Sequence, residues 1–188
     1  MNREKVAGLV REILRELGED PDRQGLLDTP KRVALSLEFL TSGYRGDPTQ
    51  TIHNAIFSQE MHNMVIARDI ELYSLCEHHM LPFFGRCHIG YIAKDRVIGV
   101  SKLARLVDLY ARRLQIQERL TDQIAHSLLD EMSADGVGVV MEAQHLCMMM
   151  RGVEKQNSMM TTSAMLGSFR GSVATRTEFL TLIGRHRP

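Results

Sequence analysis

The stretch Ser74-Leu75-Cys76-Glu77-His78-His79-Met80-Leu81-Pro82 puts a thiol, a carboxylate and two imidazoles side by side, and it constrains the fold more than any other part of the chain. A Cys-x-x-His step can aim both side chains at one metal ion from a single turn. Two ligands do not make a stable site, so a third donor has to come from elsewhere, and Gln144-His145-Leu146-Cys147 is the segment that offers one. If Cys76, His79 and Cys147 share one zinc, three protein ligands leave the fourth position open. That is the count of a catalytic zinc, whereas structural sites usually close all four positions. The fold must then bring two segments distant in sequence to one place. The opposing reading is that Cys76 and Cys147 are buried small hydrophobes, as unpaired cysteines commonly are.

Hydrophobic periodicity shows how the two segments could meet. Both fall where an expected strand ends or bends. From Met64 the chain takes on strand character, with Ile70-Glu71-Leu72-Tyr73 alternating apolar and charged residues up to the Cys-Glu-His-His run. Pro82 and Gly85 read as the turn into a second strand, about 86–93, with Cys87, Ile89 and Tyr91 on one face. Val137 to Ala143 reads as a strand running on into His145 and Cys147, and 158–166 as the last one. Around these lie expected helices at 3–17, ending at Gly18, and at 29–41, with Thr29-Pro30 as cap and first residue. Others are expected from Ser101 as cap, over 117–132, and over 172–183. Residues 43–50 read as a polar loop. The order of elements implies an α+β fold, an antiparallel sheet with helices on one face. The expected division is an N-terminal helical segment, 1–50, and a catalytic domain, 51–188.

Composition narrows the partners. Lys plus Arg and Asp plus Glu are both 23 in 188 residues, which gives no global basic field for nucleic acid. No apolar run approaches the roughly 18 residues that span a bilayer. The charged, amphipathic opening Met1-Asn2-Arg3-Glu4-Lys5 does not resemble a signal peptide. Together with three cysteines, an odd number, it leads us to expect a reducing, cytoplasmic setting.

Three further constellations carry chemistry. His78 and His145 adjoin the donors without needing to be donors, and imidazoles titrating near neutrality suit proton transfer. Either could instead close a structural zinc site or hydrogen-bond around it. In Gly99-Val100-Ser101-Lys102-Leu103-Ala104-Arg105 a helix start coincides with Lys102 and Arg105 on one side of the first turn. Cations there oppose the helix dipole unless an anion offsets them, so phosphate binding is the better reading. Gln117-Glu118 opens the next helix. Glu118 complements the dipole, and a carboxylate could also accept the paired N–H donors of a guanine; spacing does not choose. Cys87 reads as core.

Taken together, Cys76-Glu77-His78-His79, Gly99 to Arg105, Gln115-Ile116-Gln117-Glu118-Arg119-Leu120-Thr121 and His145-Leu146-Cys147 through Arg151-Gly152 resemble GTP cyclohydrolase I of the zinc-dependent type. The likeness runs from about Thr29 to Ile183. It implies a tunnelling fold with a four-stranded antiparallel sheet, protomers joined as two pentameric rings in a homodecamer, and active sites between subunits. It implies one zinc per subunit on Cys76, His79 and Cys147, with His78, His145 and Ser101 catalytic. It implies GTP as substrate, with Gln117 and Glu118 on the guanine, Lys102, Arg105 and Arg151 on the triphosphate, and Arg32 reaching the triphosphate from a neighbouring subunit. Another tunnelling-fold family, the nitrile reductases of queuosine synthesis, uses a catalytic cysteine and no zinc, and the Cys76/Cys147 pair speaks against it.

Overall fold

The computed structural model describes residues 1–53 and 55–184. The chain divides into two compact units, Met1–Ser42 and the remainder from Gly43. The first holds two helices, α1 (Arg3–Glu16) and α2 (Thr29–Leu40). The side chain of Asn2 caps α1 by accepting from the Lys5 amide, and Gly18, at φ +83°, lets the chain leave the helix in the left-handed region. Asp28 precedes the first helical residue of α2, so Thr29 is not the cap and Pro30 lies one residue further in than expected. An Arg3–Glu38 ion pair joins the two helices. Leu9 and Ile13 stay more than half exposed, at 56% each.

The second unit is built on a sheet of five strands in the order β5-β2-β3-β6-β7. In chain order it contains a short 3-10 turn, Ser42–Arg45, at its boundary, α3 (Pro48–His53), β1 (Ile56–Ser58), β2 (Met64–Cys76), β3 (Pro82–Ile92), β4 (Arg96–Ile98) and α4 (Val100–Ala111). Then come β5 (Leu114–Gln115), α5 (Gln117–Met132), β6 (Gly136–His145), α6 (Leu146–Met149), β7 (Met160–Gly167), α7 (Ser168–Gly171) and α8 (Val173–Gly184). β2, β3, β6 and β7 pair antiparallel, as expected. The four-stranded expectation falls one short, because β5 adds two residues in parallel beside Leu75 and Cys76. β1 and β4 form a separate small pair, Ile56 opposite Ile98.

One face of the sheet carries the main core. Leu72, Phe83, Cys87, Ile89, Val139 and Met141 pack against Leu103, Leu106 and Val107 of α4 and Leu120, Ile124 and Leu128 of α5, all nearly or fully buried. Each such large apolar side chain stabilises the fold by roughly 1.5–3 kcal/mol. The helices do not keep to that face. Phe169 of α7 and Phe179 of α8 cover part of the other one, where Gly90 and Gly138 leave room for their rings. A Cβ on Gly138 would stand 2.5 Å from Phe169 and 3.0 Å from Phe179.

A bulge sets the faces of β2. Before it, Val65 and Ala67 point toward the main core; after it, Ile70, Leu72 and Cys76 do. The register slips between Ala67 and Ile70, where Asp69 takes a left-handed backbone, φ +56°, and its amide donates to His88 Nδ1 at 3.2 Å. One inserted residue exchanges the two faces of everything downstream. This explains the mixed start of the strand pattern, and it is what turns Cys76 inward.

Candidate metal centre and substrate site

The ladder between β2 and β3 runs to Leu75 opposite Pro82, so Cys76 to Leu81 form the loop of a hairpin. Pro82 and Gly85 therefore belong to β3 and are not turn residues. Gly85 is required because a Cβ there would lie 1.9 Å from the Glu142 carbonyl oxygen on β6. The loop is one closed turn: the Met80 amide donates to Cys76 O at 2.8 Å and the Cys76 amide to Leu81 O at 2.9 Å. Met80 is left-handed, φ +56°, a conformation that non-glycine residues adopt at a cost and that gathers at functional sites.

The third donor arrives from β6, whose last residue, His145, pairs with Phe83. The chain then turns into α6, so the strand that the sequence carries on into Cys147 ends at His145, and the two residues do not share an extended face. They part. Cys147 joins Cys76 and His79, and the three donor atoms lie within 4.8 Å of one another. His145 stacks flat on Phe83, ring centroids 4.7 Å apart, and turns its Nε2 toward Gln117.

The donor set fits zinc. A tetrahedral site with metal–sulfur bonds near 2.3 Å spaces its ligand atoms about 3.7 Å apart, so closing by roughly 1 Å would complete it. Burial first, then the neighbouring Cys76, push the Cys147 thiol up from its ordinary value. Cys87 is fully buried in the core, its thiol pushed up by burial, and is not part of the donor set. His78 Nδ1 stands 3.7 Å from the Cys76 sulfur and its ring is exposed.

Gln117 is only 1% exposed. Its amide nitrogen donates toward Met141 O at 3.1 Å, Met160 O at 3.0 Å and Thr162 Oγ1 at 3.1 Å, while its Oε1 lies 2.8 Å from His145 Nε2. Backbone carbonyls only accept, so the amide cannot be reversed, and the His145 Nε2 facing its oxygen carries the proton. Burial lowers the His145 pKa, and Glu118 opposes that shift. Glu118 is exposed and helps line a cavity of about 400 Å³ with Thr121, Asp122 and Thr162. A larger cavity, about 800 Å³, opens on the other face of the sheet by Glu71, Arg86 and His88, and none of the expected site residues lines it.

The basic residues divide. Arg151 Nη1 lies 3.2 Å from His79 Nε2, so it borders the metal donors. Ser101, Lys102 and Arg105 sit in the first turns of α4, whose cap is Gly99 and not Ser101. α4 starts beyond the Ile92 end of the sheet and runs back to β5 beside Cys76. Its start thus stands off from the metal turn by about the length of a twelve-residue helix, roughly 18 Å. Among the described residues neither Lys102 nor Arg105 has an ion-pair partner. Arg32 belongs to the first unit, where it pairs with Asp28.

Sequence reasoning passed over one group. Arg119 ion-pairs with Glu77 and holds its carboxyl below the usual carboxylate range. A charged residue set between two metal donors was the signal that could have drawn attention to it.

Two thiols and an imidazole at strand ends, with His78 and His145 adjoining them in sequence, form a group that could hold a metal ion beside residues able to move protons. The family model for GTP cyclohydrolase I matches residues 6–184. The chain is 59% identical to the GTP cyclohydrolase 1 of Methylococcus capsulatus over 94% of its length and 96% of that protein's. It is 60% identical to the one from Coxiella burnetii over 95% and 97%, and 58% to that of Chromohalobacter salexigens over 96% and 98%. The chain belongs to the GTP cyclohydrolase I family. An apo archaeosine synthase QueF-like structure covers 55% of this chain and 93% of its own at 15% identity and a TM-score of 0.47, too slight a likeness to bear on function.

Proposed function

We propose that the protein opens the imidazole ring of GTP at C8, releases that carbon as formate and rearranges the remainder to 7,8-dihydroneopterin triphosphate, the first step toward pterins and tetrahydrofolate. The observation that carries this is the convergence of Cys76, His79 and Cys147 beside His145, in a chain of this family. Cys76, His79 and Cys147 would hold zinc, which when bound supplies a water acidified from a pKa of about 16 to about 7.

The remaining chemistry is assigned to side chains. His145 presents Nδ1 to N7 of the guanine; with its Nε2–H committed to Gln117, Nδ1 first takes a proton from solvent water and then passes it to N7. Glu118 accepts the guanine N1–H and exocyclic amine, a paired recognition that neutral donors at a carboxylate make well. Gln117 acts on the purine through His145, since its amide hydrogens are directed within the protein. His78 and Ser101 move protons as the ribose opens and the ring recloses. Lys102, Arg105 and Arg151 hold the triphosphate, joined by Arg32 of a neighbouring copy. The separation of the α4 cradle from the metal turn within one chain favours sites completed by neighbouring copies. The assembly we propose is accordingly a decamer of two pentameric rings on a tunnelling fold, working in the cytoplasm. Among the described residues no helix is long and apolar enough to cross a membrane.

Incubating the zinc-loaded protein with GTP should yield formate and, after oxidation, a fluorescent pterin, and a chelator should abolish both. Zinc-replete protein that releases no formate would overturn the proposal.

A further inference from the structure

Outside the residues given roles above, the side chain most closely tied to the metal turn is Arg119. Its guanidinium reaches three groups: the Glu77 carboxylate, Gln115 Oε1 at 2.9 Å and Leu114 O at 3.4 Å. Gln115 is 1% exposed, and its amide nitrogen donates to Tyr110 O at 3.0 Å and Gln123 Oε1 at 2.9 Å, so the acceptor it offers Arg119 is fixed. The main chain of Gln115 pairs with Cys76, and its carbonyl accepts the Glu77 amide at 3.0 Å. Glu77, seated between the donors Cys76 and His79, is therefore gripped at both backbone and side chain.

We infer that Arg119 is a positioning residue which, through Glu77 and Gln115, clamps the Cys76–His79 turn to the start of α5. The inference rests on the metal reading above. The clamp has a purpose in that setting. The same first turn of α5 carries Gln117, which orients His145, and Glu118, which faces the cavity. One guanidinium thus fixes the distance between the donors of the metal and the groups assigned to the purine. Two-residue β5 adds few main-chain bonds to this tie, the pairs Leu75–Leu114 and Cys76–Gln115 and the bond from the Glu77 amide to the Gln115 carbonyl. A planar fork with several donors suits a three-way tie in a way that a lysine ammonium does not.

The test follows zinc release into an excess of a chromophoric chelator, using the full-length zinc-loaded protein and the variants Arg119→Met, Arg119→Lys, Glu77→Gln and the exchanged pair Glu77→Arg/Arg119→Glu. Loss of partners around metal ligands typically weakens metal binding about 10–100-fold. Arg119→Met and Glu77→Gln are each expected to speed zinc release about tenfold. Combining them should add little beyond either alone, because both remove one contact. Arg119→Lys should recover only part of the loss and the exchanged pair more of it, while the thermal midpoint of the metal-free chain stays within a few degrees of wild type. Unchanged zinc release overturns the inference, as do effects of the two single variants that multiply. A metal-free midpoint that falls in step with zinc release would also overturn it, because the role would then be merely structural. If Arg119→Met does not fold, Glu77→Gln, which keeps shape and removes only charge, decides alone. Release is read without turnover, so a wild-type protein that binds zinc and makes no formate overturns the proposed function only.

Discussion

Replacing Gln117 with leucine separates two roles for this residue, contact with the purine and orientation of His145. The structure supports the second. The amide hydrogens face two backbone carbonyls and Thr162, and Oε1 accepts from His145 Nε2 at 2.8 Å. Leucine fills a similar volume but leaves those partners behind. An orphaned buried polar group costs about 1–3 kcal/mol, and Thr162 keeps its 2.7 Å bond to Thr121, so a net stability loss of about 2–4 kcal/mol is expected. The catalytic effect is larger than a packing change would give. Without the fixed acceptor, His145 can carry its proton on either nitrogen and can turn against Phe83. General acid–base catalysis is worth about 10²–10⁴-fold, and losing control of the ring should remove about 10²-fold from kcat, some 2.7 kcal/mol of barrier. KM for GTP should stay within about threefold, because no contact to the substrate has been removed. Steady-state formate release at saturating and limiting GTP distinguishes the outcomes. A variant whose KM rises about a hundredfold while kcat holds would show that Gln117 binds the purine directly, and would refute this reasoning.

Glu118→Ala should show the complementary pattern, with KM for GTP raised about 30–150-fold and zinc content unchanged, since a lost charged hydrogen-bond pair costs about 2–3 kcal/mol; equal loss of zinc would refute its assignment. Zinc affinity should rise with pH. The Cys147 thiol is pushed up by burial and by Cys76, both thiols lose protons to bind metal, and the apparent constant should gain about 10–100-fold per unit between about pH 6 and 8. Competition titration checks this, and a pH-independent constant would exclude the thiolate set. Gly85→Ala and Gly138→Ala should differ sharply. At Gly85 the new methyl meets the Glu142 carbonyl at 1.9 Å, so β3 must part from β6 and folding should fail. At Gly138 it meets aromatic rings that can shift, at a cost of about 1–3 kcal/mol in denaturant unfolding.

What was legible in the sequence was whatever depends on short-range pattern. α5 was expected over 117–132 and occupies that range, because Leu120, Ile124 and Leu128 repeat at helical spacing into the core. The convergence of Cys76, His79 and Cys147 was also foreseeable, since donors at strand ends have few places to meet. The misses share a cause in contacts between distant segments. Gly85 read as a turn signal, yet it is glycine because Glu142 of another strand passes too close for a side chain. β5 leaves no periodic trace in two residues. The glycines at 90 and 138 gave no sign that Phe169 and Phe179, late in the chain, would fill the space above them and put helices on the second face. Burial adds what no pattern in the sequence carries, that the Gln117 amide hydrogens face Met141 O, Met160 O and Thr162.

The bulge at Asp69 places a counting rule on the metal centre. Strand residues alternate sides, so the side on which Cys76 emerges depends on whether an odd or an even number of residues lies between it and the last paired position before the slip. Removing Asp69 alone would leave every donor, both histidines and every motif of the sequence untouched. The thiol of Cys76 would nonetheless emerge on the solvent side of the sheet, facing away from Cys147. A chain of this family that keeps all its signature residues but has lost or gained one residue between positions 67 and 70 is thus expected to bind no metal, although a search by motif would pass it as intact.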